Sequence, residues 1–279
     1  MTMSDRWAWA EIDLDAIAHN VGVLRTTVAP SAVWAVVKAD GYGHGAVPVA
    51  RAALAAGADG LCVALVQEGA VLRDAGIDAP ILVLSEQPVE QAADLVQLGL
   101  TPTVYSGHFA DALARAQPAG VRLGVHVKVD TGMQRVGIAP ADTLALVDDL
   151  AERTPGIRVD GIYTHLAVAD EPTHPATERQ LAAFDDLLDT LDASGRLPPV
   201  IHAANSAGAL AHPSARRSLV RAGIAIYGIS PGPDVDDLAA SLRPAMSLRA
   251  RVSHVKTVRA GSHVSYGWRH RFATDTTVA

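Results

Sequence analysis

Short runs rich in β-branched residues recur along this chain, and most are followed by a longer Ala/Leu-rich segment with helical spacing. Eight such runs are legible: AVWAVVK (32–38), LCVALV (61–66), APILVLS (79–85), TPTVYS (101–106), RLGVHVKVD (122–130), IRVDGIYTHLA (157–167), PVIHAAN (199–205) and SLVRAGIAIYG (218–228). Largely apolar runs of this length fit strands covered on both faces, the setting of a parallel sheet with crossover helices. VARAALAAGA, QEGAVLRDAG, VEQAADLVQLG, FADALARAQ, DTLALVDDLAER and ERQLAAFDDLLDTLDASG supply helices between them, and several end in Gly as helix C-termini do. Eight strands in series with helices between them predict an α/β fold, a (β/α)₈ barrel of the TIM type. No helix is evident after the eighth run.

From about residue 240 the texture changes. SLRPAMSLRARVSHVKTVRAGSHVSYG alternates apolar and polar residues with period two, which predicts antiparallel strands. The expected division is a barrel over 1–239 and the start of a C-terminal β-rich domain over 240–279. A few strands alone leave edges and half a core, so that second domain reads as incomplete.

The net charge of −7 comes with no basic block, which leaves nucleic acid and anionic membranes without an electrostatic footprint and favours a small polar metabolite. Cys62 is the single cysteine, inside an apolar run, so it reads as a core thiol in a reducing compartment. The opening MTMSDRWAWAEIDLD is too polar for a signal peptide, and no stretch approaches the roughly 18 apolar residues of a membrane span. A cytoplasmic protein is expected.

Catalytic groups of such barrels collect at the C-terminal ends of the strands. The first run ends in Lys38, followed by Tyr42 among Gly41, Gly43 and Gly45; the fifth ends in Lys128 and Asp130, with Arg135 past the turn. The sixth delivers His165, the seventh Asn205 and Ser206, and the eighth Arg221, Gly223 and Ile224. A partly desolvated Lys38 is suited to Schiff-base chemistry on a carbonyl, though a strand-end lysine also snorkels to solvent. Asn205 and Ser206 fit either a helix N-cap or, with the backbone at Gly223 and Ile224, a phosphate cradle. His165 fits a base, a metal ligand or a core histidine; the eleven histidines show no HxH or HExxH spacing, so a metal enzyme is not expected.

Taken together these stretches resemble the alanine racemase family, pyridoxal-phosphate enzymes of fold type III with a barrel and a C-terminal β domain. The resemblance runs from WAEIDLDAIAHNV (9–21) through AVVKADGYGHGA (35–46), HVKVDTGMQRVG (126–137), THLAVADEP (164–172), HAANSAGAL (202–210) and LVRAGIAIYG (219–228) to VSYG (264–267). It implies that Lys38 carries pyridoxal 5'-phosphate and serves as the base for the D enantiomer. Tyr266 is implied as the opposing base, supplied by the partner of a head-to-tail homodimer. The resemblance further implies that Tyr42, Ser206, Gly223 and Ile224 hold the phosphate and that Asn205 belongs to the same cofactor site. His165 would lie beside the ring, Arg221 would face its nitrogen, and Arg135 would bind substrate. The lysine at position 128 matches one that many relatives carry carbamylated.

The implied reaction is interconversion of L- and D-alanine, feeding peptidoglycan. The chain departs from the family pattern at WRHRF after VSYG and at Gly41, where alanine is common. Further family groups lie beyond the position of Ala279. Competing readings are a pyridoxal-phosphate-binding protein of cofactor homeostasis, a racemase for another amino acid, and a Schiff-base aldolase using Lys38 without cofactor.

Overall fold

In the computed structural model, which describes residues 7–118, 120–153 and 156–279, all eight apolar runs hold strands. In chain order the strands are β1 (Ala8–Ile12), β2 (Ala32–Val36), β3 (Gly60–Val63), β4 (Ile81–Val83), β5 (Thr103–Val104), β6 (Leu123–Lys128), β7 (Ile157–Tyr163), β8 (Val200–His202) and β9 (Leu219–Ala222). Parallel pairing arranges them as β4-β3-β2-β9 and β5-β6-β7-β8. Backbone hydrogen bonds join the two sets at both edges. Thr101 N–H donates to Ile81 O at 2.8 Å on one side, and Arg221 N–H to Ala204 O at 3.0 Å on the other. The eight strands therefore close into a barrel, which removes the unpaired edges of an open sheet.

Helices Ala46–Ala55, Val66–Asp74, Ala92–Gln97, Gly107–Ala116, Pro140–Arg153 and Pro175–Ala193 alternate with the strands. The last buries Leu181, Phe184, Leu187, Leu188 and Leu191, an apolar stripe at helical spacing. The helix missing after the eighth run is replaced from the other end of the chain. Leu14–Val28, capped by Asp13, packs against β2 and the turn Ile224–Tyr227 that follows β9. Asn20, fully buried within it, donates to Ile226 O at 3.1 Å and Arg243 O at 2.8 Å and accepts from Arg243 N–H at 2.7 Å.

Period-two alternation divides the strand residues between two cores. Val33, Ala35 and Val37 join the large cluster shared with the helices. Val36, Cys62 and Leu82, with Trp34 and Leu84, form a separate apolar group inside the barrel. On β6 to β9 the corresponding positions are polar and buried: His126, Lys128, His202 and Arg221, with Tyr163 fully enclosed. Two of the inward rings, Trp34 on β2 and His126 on β6, fit because glycines face them. A Cβ on Gly60 would lie 2.6 Å from the Trp34 ring, and one on Gly161 would lie 2.7 Å from the His126 ring.

The chain divides into two compact units, Asp13–Ala245 and a second made of the described residues before Asp13 with Met246–Ala279. Ala245 N–H still bonds Tyr227 O at 3.0 Å, within the first unit. In the second unit β1 pairs antiparallel with β10 (Met246–Ala250), β11 (Lys256–Val258) with β14 (Thr276–Val278), and β12 (His263–Val264) with β13 (His270–Arg271). Among the described residues no helix is long and apolar enough to cross a membrane.

Candidate active site

Lys38 leaves β2 half-buried, and the chain then makes one turn of left-handed helix. Ala39, Asp40, Gly41 and Tyr42 have φ of 51°, 52°, 61° and 51°. Three of these are not glycine, and each pays about 1–2 kcal/mol for the left-handed region. Local hydrogen bonds offset that strain. Asp40 Oδ1 accepts Ala46 N–H at 2.8 Å, and His44 Nδ1 donates to Tyr42 O at 3.0 Å and Gly41 O at 3.1 Å. Tyr227 donates to Val36 O at 2.9 Å and sets its ring 5.0 Å from that of Tyr42 and 4.6 Å from that of His44.

The turn carries the Tyr42 hydroxyl to the end of β9. A Cβ on Gly223 would lie 2.7 Å from it, so the backbone approaches where no side chain fits. Burial pushes the Tyr42 phenol up, which keeps its proton available for donation. Ser206, buried after β8, accepts Gly223 N–H at 2.9 Å and Ala225 N–H at 3.2 Å on its hydroxyl oxygen, leaving its own proton to donate. Asn205 takes the N-cap reading: Oδ1 accepts Gly208 N–H at 2.9 Å and Nδ2 donates to Leu166 O at 3.2 Å.

Beneath lies Arg221, 3% exposed. Nη1 donates to His202 Nδ1 at 2.6 Å, and Nη2 serves Thr164 O at 2.8 Å, Ala203 O at 3.1 Å and His165 Nδ1 at 3.2 Å. Its cation sits 4.9 Å above the Tyr163 ring, against which His202 stacks at 4.5 Å. Every one of these partners is neutral. Because a guanidinium only donates, His202 and His165 must accept on Nδ1 and carry their proton on Nε2. His202 Nε2–H then donates to His126 Nδ1 at 2.9 Å, which fixes the His126 tautomer in turn. Burial first, and the nearby cation of Arg221 after it, hold His165 and His202 well below the ordinary imidazole range. Burial likewise brings His126 down to about 4.

Lys128 points its amine to Val136 O at 3.1 Å, 5.6 Å from the centre of the Tyr163 ring. Burial, with Arg221 adding to it, brings this amine down to about 8. Arg135 is held at the mouth by the Asp130 turn, whose carboxylate accepts the N–H groups of Gly132, Gln134 and Arg135 at 2.9, 3.0 and 3.1 Å.

One cavity of about 500 Å³ is lined by Lys38, Tyr42, Lys128, Arg135, His165, Asn205, Ser206, Arg221, Gly223 and Ile224 together. Four cations and the single acid Asp170 line it, so it attracts an anionic ligand. Tyr266 belongs to the other unit and is 99% exposed. Sequence reasoning passed over Tyr163, His202 and His126, which stand two strand positions before His165, Ala204 and Lys128. The alternation of the strands was the signal that could have found them.

The model of the family described as alanine racemase, N-terminal domain, matches residues 12–231. The chain belongs to the alanine racemase family. An alanine racemase of Symbiobacterium thermophilum is 45% identical over 278 residues, spanning 98% of this chain and 72% of its own length. One of Thermobifida fusca is 46% identical over 276 residues, spanning 98% and 73%. The crystal structure of alanine racemase from the D-cycloserine producer Streptomyces lavendulae superposes with a TM-score of 0.89 at 41% identity, covering 99% of this chain and 73% of that one. The family depends on pyridoxal 5'-phosphate. The cavity fits that group: an amine for its aldehyde, a glycine cradle with hydroxyl donors for its phosphate, and a surplus of positive charge.

Proposed function

We propose that this chain interconverts L- and D-alanine with pyridoxal 5'-phosphate held on Lys38. The observation that carries the reading is one cavity whose lining brings Lys38 together with Tyr42, Ser206, Gly223 and Arg221. When bound, the cofactor supplies an aldehyde carbon and a conjugated ring that takes up the electron pair left as the α-proton departs. Tyr42, Ser206 and the backbone at Gly223 and Ile224 would hold its phosphate, with Asn205, which caps the helix that Ser206 begins, holding that turn in place. Arg221, always protonated, opposes a second positive charge on the ring. Arg135 takes the substrate carboxylate, and His165 couples Arg221 to the rest of the site.

Racemisation removes a proton from one face of a planar carbon and returns one to the other, so it needs two bases. Lys38 serves the D enantiomer, and Tyr266 of a second copy, arranged head-to-tail, serves the L enantiomer. A neutral Lys128 amine attacks carbon dioxide, forming an N–C bond and losing a proton. The resulting carbamate braces Arg135. The protein works in the cytoplasm, where D-alanine supplies peptidoglycan synthesis.

Incubating the protein with L-alanine and assaying the product with a D-specific oxidase tests the reaction. Coloured protein that yields no D-alanine would instead be a cofactor-binding module, and colourless protein that cleaves carbonyl substrates would be an aldolase. Borohydride reduction followed by peptide mapping is expected to leave the pyridoxyl tag on Lys38. Lys38→Ala should abolish the reaction in both directions. Tyr266→Phe should cripple it with the chromophore intact; loss of colour would assign Tyr266 a structural role.

A further inference from the structure

Glu68, in the first turn of helix Val66–Asp74, has its carboxylate in three backbone hydrogen bonds. Oε2 accepts the N–H groups of Ala64 at 2.7 Å and Leu65 at 3.1 Å, the usual work of an acid three places into a helix. Oε1 reaches the neighbouring strand end and accepts Ala39 N–H at 2.6 Å. That N–H lies in the peptide plane on the C-terminal side of Lys38. The plane on the N-terminal side is held as well, because Val37 O accepts Gly41 N–H at 2.9 Å. Peptide groups are rigid, so two fixed planes flanking one Cα also fix the direction of its Cα–Cβ bond. The ladder of the left-handed turn begins at Gly41 N–H and cannot serve Ala39 N–H, which is why a side chain must.

We propose that Glu68 is a positioning residue for Lys38: its carboxylate sets the line along which the amine enters the cavity. It does not line the cavity itself. The inference rests on the reading of Lys38 as the cofactor-bearing amine. An amine held on that line keeps its bond to the cofactor aldehyde unstrained, so loosening the anchor speeds cofactor release before it harms the fold.

Glu68→Gln keeps the length of the side chain but replaces one acceptor oxygen with an NH₂ donor, so at least one of the three N–H groups loses its partner. The measurement is the loss of visible absorbance when pyridoxal-phosphate-loaded protein is diluted, read beside the melting temperature. Ser106→Ala is the control. It removes the cap of helix Gly107–Ala116, whose hydroxyl accepts Phe109 N–H at 3.3 Å, and leaves the Lys38 turn alone.

Release from Glu68→Gln is expected to be about tenfold faster or more, the scale of one hydrogen bond to a charged group, while Ser106→Ala releases at the wild-type rate. Wild-type release from Glu68→Gln, or equal acceleration in both variants, overturns the proposal. Should Glu68→Gln not fold, Glu68→Asp, with its charge kept and its reach shortened, is read in the same way. Borohydride mapping of the wild type separates the two claims. A tag on Lys38 with unchanged release sinks only the role of Glu68, whereas a tag elsewhere removes the Lys38 assignment on which it rests.

Discussion

Lys128 and Gly223 show how much chemistry one buried position can set. An amine brought down to about 8 is partly neutral near physiological pH, and only the neutral form attacks carbon dioxide. Incubation with isotope-labelled bicarbonate should therefore give a carbamate carbon resonance that strengthens as pH rises through about 8 and is missing from Lys128→Met. A signal that persists in that variant would place the carbamate elsewhere. Gly223 acts by absence. Gly223→Ala puts a methyl 2.7 Å from the Tyr42 hydroxyl, within the space proposed for phosphate. Affinity for pyridoxal phosphate should fall by about tenfold or more, on the order of 1.4 kcal/mol, in an absorbance titration, with little change in the melting temperature. Unchanged affinity would move the phosphate site away from β9.

At the scale of strands and helices, most of the barrel could be read directly, since each run of β-branched residues became a strand. What escaped was decided by tertiary context. The helix Leu14–Val28 was overlooked because it precedes the first strand yet fills the place of the eighth helix. The left-handed turn after Lys38 was hidden because three of its four residues have side chains and give no local sign of positive φ. The strand-end groups stand out in the sequence, whereas His126, Tyr163 and His202 lie one pleat deeper, where only the strand alternation marks them. His126 fits because Gly161 leaves room for its ring. Gly161→Ala would push a methyl to 2.7 Å from the His126 ring, and overpacking of this kind costs about 1–3 kcal/mol. Urea unfolding should show that loss. Imidazole nitrogen resonances should also report a disturbed His126–His202 bond, and an unperturbed pair would mean the barrel floor has slack.

For the barrel unit as a whole, three histidines around the buried cation of Arg221 set the response to acid. Burial first, and after it the cation of Arg221, with which no carboxylate pairs among the described residues, hold His126, His165 and His202 below their usual range and keep them neutral. In the unfolded chain these side chains take up protons near pH 6.5. Below that pH the unfolded state binds more protons than the folded one, so stability is greatest above 6.5 and is lost as pH falls. For His126 the loss continues down to about 4 and amounts to about 3 kcal/mol; His165 and His202 contribute with the same sign. With three groups acting in the same direction, the loss is steep against the usual stability of a domain, about 5–15 kcal/mol. Urea midpoints of the cofactor-loaded protein should therefore fall sharply between pH 6 and pH 5. His126→Gln, whose amide oxygen can still accept from His202, should remove about one proton from that dependence. A stability profile that is flat across this window, or a His126→Gln profile identical to the wild type, would mean that the histidines are protonated in the folded state, and Arg221 would then need an anionic partner to tolerate them.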